Sequence, residues 1–337
     1  MAEKCRGIAK RRATLVIYAV GLVILGLVLL VIGGEALLRG AVGMATLLKL
    51  TPAIIGLTVV AAGTSIPEMA VSVLAALDNK PDISVGNVVG SNIFNIAFII
   101  GLCAVFIPIP IVGNTIKLEY PVLAIVTLLC LVVAQDGEVN RLDAILLVTI
   151  YIAFTVYLVS LVRQQVSASE AAALTEEVQD IAGNEKKPAW WSASLLVLIG
   201  VLLLGGGAQA TVSGAVELAR LMGWSERLIG LTIVSVGTSL PEVMASAISL
   251  YRGRADVSVG NVIGSNLFNI LMILGVSGLI TPLPVQSAIF QSDCFWMLGM
   301  TLLLFPIIFT GRKVSRLEGF ILLGCYGTYL TLLIRSA

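Results

Sequence analysis

The sequence predicts an all-α membrane protein, with ten transmembrane helices in two inverted five-helix repeats, and three observations predict it. Of its 337 residues, 58% are hydrophobic and 12% charged, about half the charged share of roughly 25% expected in a soluble domain. Apolar stretches long enough to cross a hydrocarbon core of about 30 Å, which takes roughly 20 helical residues, occur ten times along the chain. A segment of the first half also returns in the second at a constant offset, without a gap. With five crossings between the copies, the second lies upside down relative to the first.

In chain order, residues 1–12 form a basic tail carrying Lys4, Arg6, Lys10, Arg11 and Arg12. The apolar run behind the tail is too long for a signal peptide and no small-residue cleavage site follows, so it is read as the first span. The first half, 13–163, holds spans at 13–33 (continuing helical towards residue 47), 52–77, 84–106, 118–134 and 141–162. The second half, 190–337, holds spans at 191–222, 228–250, 258–280, 294–310 and 317–334. Connections such as Asp78-Asn79-Lys80-Pro81-Asp82 and Asp136-Gly137-Glu138-Val139-Asn140 are short and rich in turn formers, leaving no room for a soluble domain. One longer polar segment, 164–189, reads as a surface helix and linker between the halves. The Lys and Arg of the loops favour a cytoplasmic position for it, whereas the basic tail argues for the opposite orientation.

Composition excludes several functions. The 21 Lys and Arg against 20 Asp and Glu give a formal net charge of +1, hence no basic field for nucleic acid. There is no histidine, which removes Ser-His-Asp and Cys-His catalysis, His metal ligands and the usual proton shuttle. The cysteines, Cys5, Cys103, Cys130, Cys294 and Cys325, have no CxxC spacing and read as small buried hydrophobes. The protein is therefore expected to be no enzyme, to hold no cofactor and to need no obligate protein partner beyond the lipid bilayer.

The repeat carries the chemistry. Residues 56–101 match 230–275 at an offset of 174, with 24 of 46 positions identical. Gly63-Thr64-Ser65-Ile66-Pro67-Glu68 pairs with Gly237-Thr238-Ser239-Leu240-Pro241-Glu242, and Ser84 to Asn95 pairs with Ser258 to Asn269. Small residues such as Gly86 and Gly90 suit close helix packing. Packing does not explain a carboxylate, hydroxyls and carboxamides inside apolar helices. Glu68 and Glu242 lie well inside their spans, where an ionised side chain costs about 3 kcal/mol. Pro67 and Pro241 each remove a backbone N–H and clash with the carbonyl four residues back, so carbonyls around Ala61 to Thr64 and Ser235 to Thr238 are expected to lose helical partners. Thr64, Ser65, Thr238 and Ser239 add hydroxyls at the same level. Asn87, Ser91 and Asn95 share one helical face, as do Asn261, Ser265 and Asn269. Together these groups form an all-oxygen site with two carboxylates, suited to Ca²⁺, which takes six to eight hard oxygen ligands, or to two or three Na⁺.

Other polar residues are read structurally. Glu35 and Arg39, one turn apart, form a local pair, with Gln209 and Ser213 at the matching positions. Glu119 and Asp293 match at the offset but sit near span starts, where an acid suits a helix N-terminus. Asp82 and Asp256 read as helix-start residues, and Asn92 and Asn266 as interhelical hydrogen-bonding groups.

At these residues the sequence resembles the cation/calcium exchanger superfamily, whose two alpha repeats carry G-[TS]-S-x-P-E and G-N-x-x-G-S-N-x-x-N segments, and most resembles its short prokaryotic sodium/calcium exchangers. The resemblance implies antiport of Na⁺ against Ca²⁺, with Glu68 and Glu242 as shared ligands and calcium also held by the carbonyls of Thr64 and Thr238. Sodium ligands implied in the same way are Ala61, Thr64, Ser65 and Ser91 in one repeat and Ser235, Thr238, Ser239 and Ser265 in the other, with Asn95 and Asn269 lining the centre. Some relatives carry Asp at the position of Asn269, tied to K⁺ co-transport in one branch, so K⁺ dependence is not expected here. The family's N-terminus lies outside, which places 164–189 in the cytoplasm of a prokaryotic cell. Within transport, the alternative is a proton-coupled cation antiporter in which Glu68 or Glu242 binds H⁺ when calcium leaves. The clustered hydroxyls and carbonyls favour Na⁺, because protons need only the acids. An intramembrane enzyme is disfavoured by the missing His, GxSxG motif and paired Asp, and a passive scaffold by the two buried acids.

Overall fold

The computed structural model describes residues 2–48, 50–78, 81–111, 115–165, 189–223 and 235–336. Most of the 164–189 linker and residues 228–234 of the seventh expected span therefore lie outside the described residues. The helices are α1 (Ala2–Leu48), α2 (Ala53–Thr64) and α3 (Ile66–Leu77), which form one bent pair, α4 (Ile83–Phe106), α5 (Thr115–Val133) and α6 (Arg141–Gln165). The second half supplies α7 (Trp190–Leu221), α8 (Ser235–Thr238), α9 (Leu240–Tyr251), α10 (Ala255–Ile280), α11 (Ile289–Phe309) and α12 (Arg316–Ser336). Among the described residues, eight helices are long and apolar enough to span, or nine with α2 and α3 as one. The seventh expected span, 228–250, is represented by α8 and α9. Residues 2–12, expected as a tail, continue the helix of α1.

The inversion is visible in the pairing of α1 with α7. Glycines recur every seven residues on both, at 26, 33 and 40 and at 200, 207 and 214. A Cβ on Gly33 would stand 2.8 Å from the Leu204 nitrogen, and one on Gly207 would stand 2.9 Å from the Leu30 nitrogen. Gly40 meets Val197 and Gly214 meets Ala19, so one helix ascends as the other descends. Two equivalent spans running antiparallel at backbone contact are the signature of inverted halves, and small residues permit the approach.

Short ladders repeat the symmetry. β1 (Ile109–Pro110) pairs antiparallel with β4 (Lys313–Val314), and β2 (Glu138–Val139) with β3 (Leu283–Pro284). Each half thus ties the end of its fourth or tenth helix to the loop between the last two helices of the other. Gly101 packs on Gly319, and Gly275 on Val148 and Ala144, completing the exchange of α12 and α6 between halves.

α4 and α10 form the centre. Every residue of α10 from Val257 to Phe268 is buried, polar ones included, which fits a helix surrounded by protein rather than lipid. Gly260 and Gly264 let α2 approach: a Cβ on Gly264 would lie 2.7 Å from the Ala61 Cβ and closer still to the Leu57 carbonyl oxygen. Cys103, Cys130 and Cys294 are buried free thiols and Cys325 is half-buried.

Candidate functional site: a buried oxygen cluster on the pseudo-two-fold axis

Each repeat breaks one residue before its Ile/Leu-Pro-Glu segment. Ser65 leaves helical geometry at φ −84°, ψ 9°, and Ser239 at φ −90°, ψ 8°. The break turns α3 by 47° from α2. Pro67 and Pro241 fall in the first turns of α3 and α9, where a missing N–H is tolerated, and the glutamates follow directly. The expectation for Ala61 is corrected here. Its carbonyl keeps a helical partner, the Ser65 N–H at 3.0 Å, and also accepts from Thr64 Oγ1 at 3.2 Å. The reason is local: proline withdraws its N–H from the carbonyl four residues back, which belongs to Gly63.

The two breaks meet. Ser65 Oγ donates to Glu242 Oε1 at 2.8 Å, and Ser239 Oγ donates to Glu68 Oε1 at 2.9 Å. Both glutamates are 1% exposed. Their second oxygens, Glu68 Oε2 and Glu242 Oε2, are buried with no donor, and so are Asn95 Oδ1, Asn269 Oδ1 and Ser265 Oγ. Leaving a buried acceptor unpaired costs about 1–3 kcal/mol, more when it is charged. These five oxygens come from four helices, two in each half. All are hard ligands, as Ca²⁺ and Na⁺ require.

The remaining residues of the expected site fall as follows. Thr64 and Ser91 are buried, and Thr238 is half-buried. The Ser235 side chain lies outside the described residues. Asn87 and Asn261, on the same stripes, turn to bracing. Asn87 Nδ2 donates to Ser72 Oγ at 2.9 Å and to the Glu68 carbonyl at 3.2 Å. Asn261 Nδ2 does the same to Ser246 Oγ at 2.9 Å and to the Glu242 carbonyl at 3.5 Å, while its Oδ1 accepts from Thr64 Oγ1 at 3.3 Å. Sequence reasoning missed Ser72 and Ser246. Their signal was available, since each lies one turn after its glutamate and they match at the offset. Glu119 and Asp293 differ from expectation in place: α5 begins at Thr115 and α11 at Ile289, so both acids sit beyond the first turn. Glu119 is buried and accepts from Thr115 Oγ1 at 2.9 Å.

A cavity of about 760 Å³ opens beside the two helix breaks. It lies between α1, α3, α7 and α8, with Pro67, Gly237 and Thr238 at its inner end and Glu217 and Arg220 near the end of α7. At the equivalent place in the other half, side chains occupy the space beside α1. Ile248 packs where a Gly34 side chain would stand, and Glu35 bridges Arg39 and Arg252 at 2.9 Å each.

Inverted halves, broken helices meeting at mid-span and an oxygen-lined centre define the class of inverted-repeat membrane transporters. Residues 18–160 and 192–335 match the family model described as sodium/calcium exchanger protein, and the chain belongs to that family. A putative antiporter, CaxA, of Alkalimonas amylolytica is 40% identical over 93% of this chain and 98% of its own. The sodium/calcium exchanger MaX1 of Methanosarcina acetivorans is 31% identical over 93% and 97%. A solved structure of the sodium-calcium exchanger NCX_Mj superposes with a TM-score of 0.80 at 30% identity, covering 94% of this chain and 99% of that one.

Proposed function

We propose that the protein exchanges Na⁺ for Ca²⁺ by alternating access at this site. The observation that carries the reading is the crossed pair: two buried carboxylates, each held on one oxygen by the other repeat's serine and each bare on the second. A formal −2 in an apolar interior needs cations, and one Ca²⁺ or two to three Na⁺ satisfy it. Competition for the same oxygens couples the two fluxes. Glu68 and Glu242 serve as shared ligands, with the carbonyls of Thr64 and Thr238 completing the calcium site. Ala61, Thr64, Ser65 and Ser91, with Ser235, Thr238, Ser239 and Ser265, serve sodium, and Asn95 and Asn269 line the centre. A cavity beside the breaks in one half, against side-chain packing at the equivalent place in the other, is the asymmetry that alternating access calls for. The family relationship supports the ions, since MaX1 and NCX_Mj bear the name of sodium/calcium exchangers. The N-terminus is placed outside and 164–189 in the cytoplasm of a prokaryotic cell, with 13–163 and 190–337 as the two halves.

The test is ⁴⁵Ca²⁺ uptake into proteoliposomes under an outward Na⁺ gradient, a pH gradient or none. Uptake driven by Na⁺ is expected. Uptake driven by pH and indifferent to Na⁺ would replace this reading with proton-coupled antiport.

A further inference from the structure

A carboxamide is an ambiguous ligand. One branch is a carbonyl oxygen that suits a cation, and the other, of nearly the same shape, is an NH₂ that repels it. At Asn269 the neighbours decide between them. Asn269 Nδ2 donates to Asn92 Oδ1 at 3.3 Å, and Asn92 Nδ2 donates to Met297 Sδ at 3.5 Å. A thioether sulfur only accepts, so Asn92 gives Met297 its NH₂ and presents its oxygen to Asn269. That oxygen also only accepts, so Asn269 must give its NH₂ in turn. What remains is Asn269 Oδ1, buried and without a donor. Asn92 and Asn269 are 1% exposed and Met297 0%, so no bulk water compensates a misturned amide.

The other half is built differently. Asn266, the counterpart of Asn92, donates back to its own helix at the Val262 carbonyl, at 3.1 Å. The counterpart of Met297 at the offset of 174 is Leu123, which has no acceptor. Among the described residues the relay is therefore built for Asn269 and not repeated at the matching positions.

We propose that Asn92, seated on Met297, is a positioning residue that holds Asn269 with its carbonyl oxygen towards the transported cation. The assignment rests on the exchange reading, because it takes Asn269 to face the ion.

Its test uses a change that removes the ambiguity. In Asn269→Asp both branches are oxygen, so nothing is left to misorient. Sodium-driven ⁴⁵Ca²⁺ uptake by reconstituted full-length protein gives KM for Ca²⁺ in both backgrounds. With Asn269 present, Asn92→Leu should raise KM about tenfold, the scale of one lost hydrogen bond to a ligand. With Asn269→Asp, the same change should move KM less than about twofold. Asn92→Ala, which adds no bulk, and Met297→Leu, a near-isosteric swap, should follow the same pattern, the latter more weakly, and they carry the comparison if Asn92→Leu does not fold. Equal cost in both backgrounds would show that Asn92 merely packs, and no cost in either would show that the amide is held without it. Each result overturns the assignment while leaving the exchange reading intact. Wild-type protein without sodium-driven uptake overturns the exchange reading itself, and this assignment with it.

Discussion

The Ser65 hydroxyl donates to Glu242 Oε1 at 2.8 Å, joining the helix break of one repeat to the acid of the other. Ser239 returns the bond to Glu68 at 2.9 Å. Neither repeat can complete its own carboxylate. The proposed ion site is complete only while the two breaks are in register, which gives a physical reason for the motif to occur twice with so few differences.

Replacing either acid by its amide keeps size and removes charge. Glu68→Gln and Glu242→Gln are each expected to lower exchange at least about 100-fold, since the amide NH₂ also turns a donor towards the cation. Membrane insertion should persist, because each change removes a buried charge. The measurement is ⁴⁵Ca²⁺ uptake, with size-exclusion profiles as the folding control, and full activity in either variant would take that residue out of the site.

Ser65→Ala and Ser239→Ala should behave alike, since the two bonds are related by the pseudo-two-fold axis. Each loses one hydrogen bond to a charged acceptor, worth about 1.5–3 kcal/mol. Half-maximal Na⁺ should rise at least several-fold in both, read from Na⁺-dependent Ca²⁺ efflux. A large effect in one and none in the other would contradict a shared, symmetric site.

Much of this was legible in the sequence, and the part that was not has identifiable causes. Repeat spacing and the position of Pro67 and Glu68 announced the inverted halves and the two acids. The stripe Asn87, Ser91, Asn95 placed three polar groups on one helical face, but helical periodicity cannot say what stands opposite. Asn87 spends its donors on Ser72 and the Glu68 carbonyl, a contact fixed by how α3 crosses α4. α5 starts at Thr115, ahead of the apolar run expected from 118, because Thr115, Lys117 and Glu119 give a helical segment the composition of a loop. The orientation of Asn269 depends on Met297, 28 residues on in sequence and on another helix, and no local pattern carries that.

At Gly264 the central helix meets the backbone of α2 directly. The missing side chain lets the Leu57 carbonyl and Ala61 pass, and both belong to the helix that delivers Thr64. Backbone cannot yield as a side-chain tip can, so Gly264→Ala should destabilise by about 1–3 kcal/mol and lower exchange as well. Thermal unfolding in detergent checks the first effect and uptake the second. Gly324→Ala, with open space around its Cβ position, serves as the tolerated control.

Access should be one-sided in the ground state. Ala70 lines the open cavity, whereas Met244, its counterpart at the offset of 174, lies on the filled side, where α9 packs on α1 beside Gly34. In a background without the native cysteines, Ala70→Cys should react with a membrane-impermeant thiol reagent applied from the end of the bundle where α7 terminates. Met244→Cys should resist reagent from either end. The filled side is held partly by Glu35, which bridges Arg39 and Arg252, while Gln209 and Ser213 occupy the equivalent places of the open side without charge. Each ion pair is partly exposed and so modest, of order 0–1 kcal/mol. Arg252→Gln should therefore raise labelling of Met244→Cys by a few-fold, not convert the protein outright. Unchanged labelling would mean that the apolar contact of Ile248 with the Gly34 backbone seals that side without help from charge.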